Sequence, residues 1–225
     1  MSPVMNNPQR IEAESFRIID ASVEETEKKK FSPLEWMVAR RAIHTTGDLD
    51  FCKLMRFSRG AVQLGVDILK RGCTVYADTR MLMAGISTGR LDELGVEVVC
   101  LVSDQETRDL AARRGITRSA ASVDRVFEEP NLKYDIKIFA IGNAPTALFR
   151  LLQWVDASPR AEDRVSMETD ILVIGTPVGF VGAKESKDAL MASGIPYISC
   201  IGTRGGSTVA ASILNQLAIE ALEQR

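Results

Sequence analysis

The chain contains a single histidine, His44, in the run Arg40-Arg41-Ala42-Ile43-His44-Thr45-Thr46-Gly47-Asp48. Imidazole is the side chain whose ordinary titration falls near neutral pH, so any histidine acid–base step in this protein belongs to that residue. The same setting also suits a structural histidine that caps a helix end. A second group of chemistry-bearing positions lies in three glycine turns: Gly142-Asn143-Ala144-Pro145-Thr146, Gly175-Thr176-Pro177-Val178-Gly179-Phe180-Val181-Gly182 and Gly202-Thr203-Arg204-Gly205-Gly206-Ser207. Each follows a short apolar run and leads into a helical pattern. N–H groups and the dipole at a helix start favour an anion, and glycine admits a ligand close to the backbone. Doubly wound sheets also carry glycine turns at such places whatever they bind.

None of the turns reads GxGxxG with an acidic residue about twenty positions on, and none reads GxxxxGK[ST]. Dinucleotide and nucleoside-triphosphate binding are therefore weakly supported, and the expected anion is a carboxylate or an isolated phosphate. Asp78, in Tyr76-Ala77-Asp78-Thr79-Arg80-Met81, is either a binding residue or a helix N-cap. Arg118, in Thr117-Arg118-Ser119, either clamps a carboxylate through its fork or makes a weak surface ion pair. Met37, Met81 and Met83 read as core fillers, and Lys184-Glu185-Ser186-Lys187 as a solvated helix face.

These positions need elements to hold them. Residues 1–8 read as a frayed terminus. A helix begins near Ile11, with Ile11, Phe16, Ile18 and Ile19 as its apolar stripe, and a solvated charged segment covers 20–30. Ser32-Pro33-Leu34-Glu35 is a helix start, which puts His44 at that helix's C-terminal end. Ser58-Arg59-Gly60 opens another helix, closed by Gly72. Short apolar runs at 74–77, 96–102, 136–141, 171–174 and 197–201 alternate with helical patterns at 104–114, 119–127, 146–155, 182–192 and 207–223. Runs without sustained alternation suit strands covered on both faces, and strand–helix–strand order implies a parallel sheet. The expected fold is α/β: a three-layer α/β/α, Rossmann-like domain with a mainly parallel sheet of about five strands plus N-terminal helices. One domain spans 1–225, with a helical part at 9–72 and the α/β core at 73–225. Ligands of such sheets bind at the carboxyl ends of the strands, where the glycine turns fall.

Composition narrows the function classes. Hydrophobic residues make up 45% and charged residues 26%, with a net charge of -2. There is no basic excess for nucleic acid, no apolar run long enough for a bilayer, and no signal-peptide pattern at the start. Cys52, Cys73, Cys100 and Cys200 are scattered without a CxxC, as expected for reduced residues of a cytoplasmic protein with no metal site.

From about Ile11 to Leu217 the chain resembles the precorrin-8X (cobalt-precorrin-8) methylmutase family. The blocks that carry the resemblance are Ser15-Phe16, Arg41-Ala42-Ile43-His44, Cys73 to Asp78 with Met81, Thr117-Arg118-Ser119-Ala120-Ala121, Ala140-Ile141-Gly142-Asn143-Ala144-Pro145-Thr146-Ala147-Leu148, Pro177-Val178-Gly179-Phe180-Val181-Gly182-Ala183-Lys184-Glu185-Ser186-Lys187 and Gly205-Gly206-Ser207. The resemblance implies a cofactor-free isomerase of cobalamin biosynthesis that moves a methyl group from C-11 to C-12 of a corrin precursor. It implies His44 beside the migrating methyl, Ser15 and Arg41 on the substrate, and a homodimer with shared active sites. Combined with the turns, it sets the polyacid against Asp78, Met81, Ser87, Arg118, Ser119, Asn143, Pro145, Thr146, Thr176, Pro177, Val178, Gly179, Gly205, Gly206 and Ser207. One departure is Thr203-Arg204, where many members carry two basic residues. The competing readings are a corrinoid carrier without turnover and a Rossmann-like enzyme using a nucleotide.

Overall fold

Five of the short apolar runs lie side by side, because each needs cover on both faces. In the computed structural model, which describes residues 6–129, 134–157 and 171–225, they are β2 (Thr74–Ala77), β3 (Glu97–Val99), β4 (Ile136–Ile141), β5 (Leu172–Gly175) and β6 (Tyr197–Cys200), all parallel. A sixth strand, β1 (Met55–Phe57), pairs antiparallel with β6 and sets Met55 opposite Cys200. The order is β1-β6-β5-β4-β2-β3. The sheet thus has six strands rather than five, and the segment 9–72 is not purely helical. Three residues at a sheet edge carry too little pattern to be read from composition.

Side chains alternate along each strand, so the sheet builds two cores. On one face Val75, Ala77, Ile138, Ala140, Leu172 and Ile174 meet helices α5 (Ala61–Arg71) and α12 (Ser207–Glu223). Outside these lie α3 (Pro33–Thr46) and α1 (Pro8–Ser22). On the other face Tyr76, Phe139, Ile141 and Val173 meet α9 (Arg118–Glu128), α10 (Pro145–Asp156) and α11 (Ala183–Ala192). Helix α12 is buried along most of its length, and its polar Gln216 donates to Glu220 at 2.7 Å. The remaining helices are α2 (Glu25–Lys28), α4 (Phe51–Leu54), α6 (Arg80–Ala84), α7 (Thr88–Leu94) and α8 (Gln105–Arg114).

Local chemistry explains several boundaries. Helix α3 opens with a capping box: Ser32 Oγ accepts from Glu35 N–H, and the Glu35 carboxylate accepts from Ser32 N–H. It closes at Gly47, whose φ of 66° suits glycine. Helix α1 starts at Pro8 under an Asn7 side-chain cap, so residues 7 and 8 are not frayed; residues 1–5 lie outside the described residues. Ser58 does not cap α5, a place taken by Gly60; its Oγ accepts from Tyr197 N–H at 2.8 Å and fastens β1 to β6. Within 20–30, Asp20 accepts from Trp36 and Arg40 and is not merely solvated. Met81 is 70% exposed and Met83 is exposed too, because α6 turns only Leu82 into the core; Met37 is half-buried.

Candidate active site

His44 stands in the last turn of α3, and Gly47 N–H, not the imidazole, closes that helix by bonding Ile43 C=O. Helix α1 crosses here. Ser15 Oγ lies 2.7 Å from His44 Nδ1, and the Phe16 ring meets the imidazole edge-on at 5.3 Å. Nε2 has no hydrogen-bond partner among the described residues. The ring lines an open pocket of about 490 Å³ with Ile11, Glu14, Ser15, Ile18, Ile43 and Leu49 among its walls. Ile11, Ile18 and Leu49 are large apolar side chains left exposed there. The arrangement is an imidazole held on one nitrogen and without a protein partner on the other among the described residues, beside an apolar surface.

Arg40 and Arg41 stack their guanidinium groups over Phe16, at 4.3 and 4.7 Å from the ring centre. Arg41 also pairs with Glu12 and donates from Nε to Gln216 Oε1 at 2.8 Å, which ties α1, α3 and α12 together behind the imidazole. Glu12 and Gln216 escaped the sequence reading. Glu12 could have been found, since positions 12, 15, 16 and 19 share one helix face.

The glycine turns are packed against one another. The Asp78 carboxylate accepts from the N–H groups of Gly142, Asn143 and Ala144 at 3.1, 2.8 and 2.9 Å. Burial pushes that carboxyl up, and the three amides pull against the rise. The first turn therefore already holds an anion, one of the protein's own. Asp78 is fully buried, so it has no surface for a ligand in this chain; nor is it an N-cap, since Thr79 caps α6. Thr176 is buried likewise. Its N–H bonds Ile141 C=O, and its C=O accepts from Gly206 N–H, both at 2.8 Å. Close approach by a ligand is not what the glycines serve first: a Cβ on Gly142 would lie 2.7 Å from Ser207 Cα, and one on Gly205 would overlap the Thr176 carbonyl oxygen. Ser207 is buried, with its Oγ 3.1 Å from Thr79 Oγ1, and Gly206 and Pro177 are buried as well.

What this edge presents outward is Asn143, Thr146, Val178, Phe180, Val181 and parts of Pro145, Gly179 and Gly205. Phe180 is 95% exposed. Arg118 is exposed without an ion pair among the described residues, next to half-buried Ser119; Thr117 Oγ1 meets Thr146 Oγ1 at 2.8 Å. These belong to the α9–α10 face of the sheet. His44, Ser15 and Arg41 belong to the opposite face, as do Met81 and Ser87, whose N–H bonds Asn215 on α12. The bridge between the two groups is Arg204. From the third turn it reaches Asp48 at 2.5 Å and Asp50 at 3.3 Å, just beyond the histidine helix.

One expectation fails in part. Lys184 and Glu185 are exposed as expected, but Ser186 and Lys187 are fully buried and not part of a solvated face. Lys187 Nζ donates to Arg204 C=O at 2.6 Å, and nothing in the Lys-Glu-Ser-Lys pattern signals it. Among the described residues no group of three or more His, Cys, Asp or Glu could hold a metal ion, and no helix is long and apolar enough to cross a membrane. All four cysteines are free.

The open, mainly parallel sheet is of the doubly wound α/β class, whose ligands bind outside the strand ends, and Arg204 links the third glycine turn to Asp48, just after the histidine helix. The family model for precorrin-8X methylmutase matches residues 10–220. The cobalt-precorrin-8 methylmutase of Salmonella typhimurium is 42% identical over 215 residues, covering 95% of each chain. The precorrin-8X methylmutase of Pseudomonas aeruginosa is 39% identical, over 81% of this chain and 83% of that one. The crystal structure of the Thermus thermophilus precorrin-8X methylmutase superposes with a TM-score of 0.78 at 38% identity, over 95% of this chain and 98% of that one. The chain belongs to the precorrin-8X methylmutase family. It is an isomerase, an intramolecular methyl transferase of cobalamin biosynthesis, which leaves the carrier and nucleotide readings without support.

Proposed function

We propose that this enzyme takes precorrin-8X, or its cobalt form, and moves a methyl group from C-11 to C-12, giving hydrogenobyrinate or cobyrinate. The C-11–methyl bond breaks as the C-12–methyl bond forms, a 1,5-sigmatropic shift that leaves the overall formula unchanged. His44 lends a proton to ring C, or holds the protonated tautomer, so that the methyl leaves an sp³ carbon under an electron-poor π-system. The proton then returns to the imidazole. A positioned acid of this kind supplies about 10²–10⁴-fold. The reaction uses no cofactor.

The observation that carries the reading is the Ser15–His44 contact. In the protonated ring Nδ1–H donates to Ser15 Oγ and the second proton sits on Nε2, the nitrogen left without a partner, so the imidazolium gives that proton and becomes neutral imidazole. The apolar walls around it suit the face of a macrocycle, and the exposed polar rim suits its acetate and propionate groups. Arg41 reaches the substrate by exchanging Glu12 for a ligand carboxylate, and Arg118 supplies a second cation on the far side of the sheet. Two copies of the chain form a homodimer with shared sites; the exposed Phe180, Val181 and Val178 support this. The enzyme works in the cytoplasm. The test is direct: mix the purified protein with precorrin-8X and follow the visible spectrum. Conversion to the product chromophore is expected, and binding without any spectral conversion overturns the proposal.

A further inference from the structure

We propose that Lys187 is a positioning residue for substrate binding: it orients the Arg204–Gly205 peptide toward a carboxylate of the ligand and carries the buried charge that this carboxylate answers. The inference rests on the reading of the substrate as a corrinoid polyacid.

Lys187 lies on α11 and is fully buried. Its ammonium donates to Arg204 C=O at 2.6 Å and stands 3.8 Å from Cys200 Sγ. Cys200 donates to the same carbonyl at 3.2 Å; burial pushes that thiol up, so it keeps its hydrogen. No carboxylate comes within ion-pair distance of Lys187 among the described residues, and its neighbour Asp188 is paired with Lys184. A buried ammonium with only a carbonyl and a thiol sulfur for company is costly, and burial pushes its pKa down. A methionine of similar length would fill the space without that cost, so packing alone does not account for the charge.

The geometry of one peptide links this charge to the surface. The Arg204 carbonyl and the Gly205 N–H belong to a single planar unit, and the described residues include no cis peptide. In a trans unit the two groups point in opposite directions. With the carbonyl turned inward to Lys187, the Gly205 N–H faces away from it. That N–H has no partner among the described residues, whereas the next one, Gly206 N–H, is taken by Thr176 C=O. An ammonium on the carbonyl polarises the peptide and makes its N–H a stronger donor. Gly205 is also only partly buried, so a carboxylate can reach it.

The test compares ligand charge with side-chain charge. Affinity for the product as the free acid and as its methyl ester is measured by absorbance titration, for wild type, Lys187→Met and Lys187→Gln, with circular dichroism confirming the fold of each. Wild type is expected to favour the acid. In Lys187→Met the acid is expected to bind about 10- to 100-fold more weakly while the ester is little changed, the scale of a hydrogen bond to a charged group. KM should rise with kcat within about twofold. Lys187→Gln, which keeps a donor without the charge, should fall between and covers the case in which the methionine variant does not fold. An acid-to-ester ratio unchanged in a folded variant overturns the inference, even if stability drops. A wild type that binds neither form overturns the polyacid reading and this inference with it.

Discussion

Ser15 Oγ and His44 Nδ1 are 2.7 Å apart, and this contact holds the imidazole between helices α1 and α3, beside the pocket it lines, with Nε2 free of a protein partner among the described residues. Replacing His44 by Ala should therefore leave corrinoid binding within a few-fold and lower kcat by about 10²–10⁴. Stopped spectra of turnover, beside an equilibrium titration, read the two quantities separately. Turnover at the wild-type rate removes histidine from the mechanism.

Ser15→Ala keeps the imidazole but releases its tether. One hydrogen bond of about 1 kcal/mol corresponds to roughly a fivefold to tenfold loss in kcat, well short of the His44→Ala effect. Steady-state rates decide. A loss as large as that of His44→Ala would make the serine a participant and not an anchor.

Asp78 answers three backbone amides at once. Asp78→Asn keeps the shape but turns an NH2 group toward N–H donors, so at least one amide loses its acceptor. The expected cost is about 2–4 kcal/mol, read from denaturant unfolding. An unchanged midpoint shows that the Gly142 turn holds its form without the carboxylate.

Phe180 stands almost wholly in solvent. If that side chain is covered by a second copy, wild type sediments as a dimer and Phe180→Asp shifts it to monomer with loss of turnover. A wild-type monomer with full activity discards the shared site.

Thiol chemistry tests the core. Burial pushes all four cysteines up, Cys73 to about 12, so little thiolate exists in the fold at pH 8. A disulfide-exchange reagent should react slowly with native protein and with four thiols after unfolding. Rapid reaction of more than one thiol in the native enzyme would mean that the cores around the buried Cys52, Cys73 and Cys200 open readily, since Cys100 alone is half-buried.

Much of this architecture is readable in the chain because local signals agree. Ser32 with Glu35 starts α3, Gly47 ends it, and His44 follows at its end. The five parallel strands announce themselves as short apolar runs closed by glycine. Strand β1 does not, since three residues at an edge have no period. Asp78 and Thr176 look like ligand contacts because their positions at strand ends are right; burial by neighbouring turns, a tertiary effect, turns them inward. Lys187 is the sharpest case. A lysine in a charged tetrapeptide reads as solvated, and only the packing of α11 on β6 encloses it.

Arg204 is the basic residue of the third turn, and it is engaged with Asp48 and Asp50. Recognition of a polyanion at this turn then falls to backbone N–H groups backed by the buried Lys187, and not to a free surface cation. Such contacts are partly buried and little screened by mobile ions, so the share of affinity they carry should vary less with ionic strength than the share carried by exposed Arg118. The same ion pairs join the loop after the histidine helix to the third glycine turn across the surface, a weak tie between the two groups of site residues.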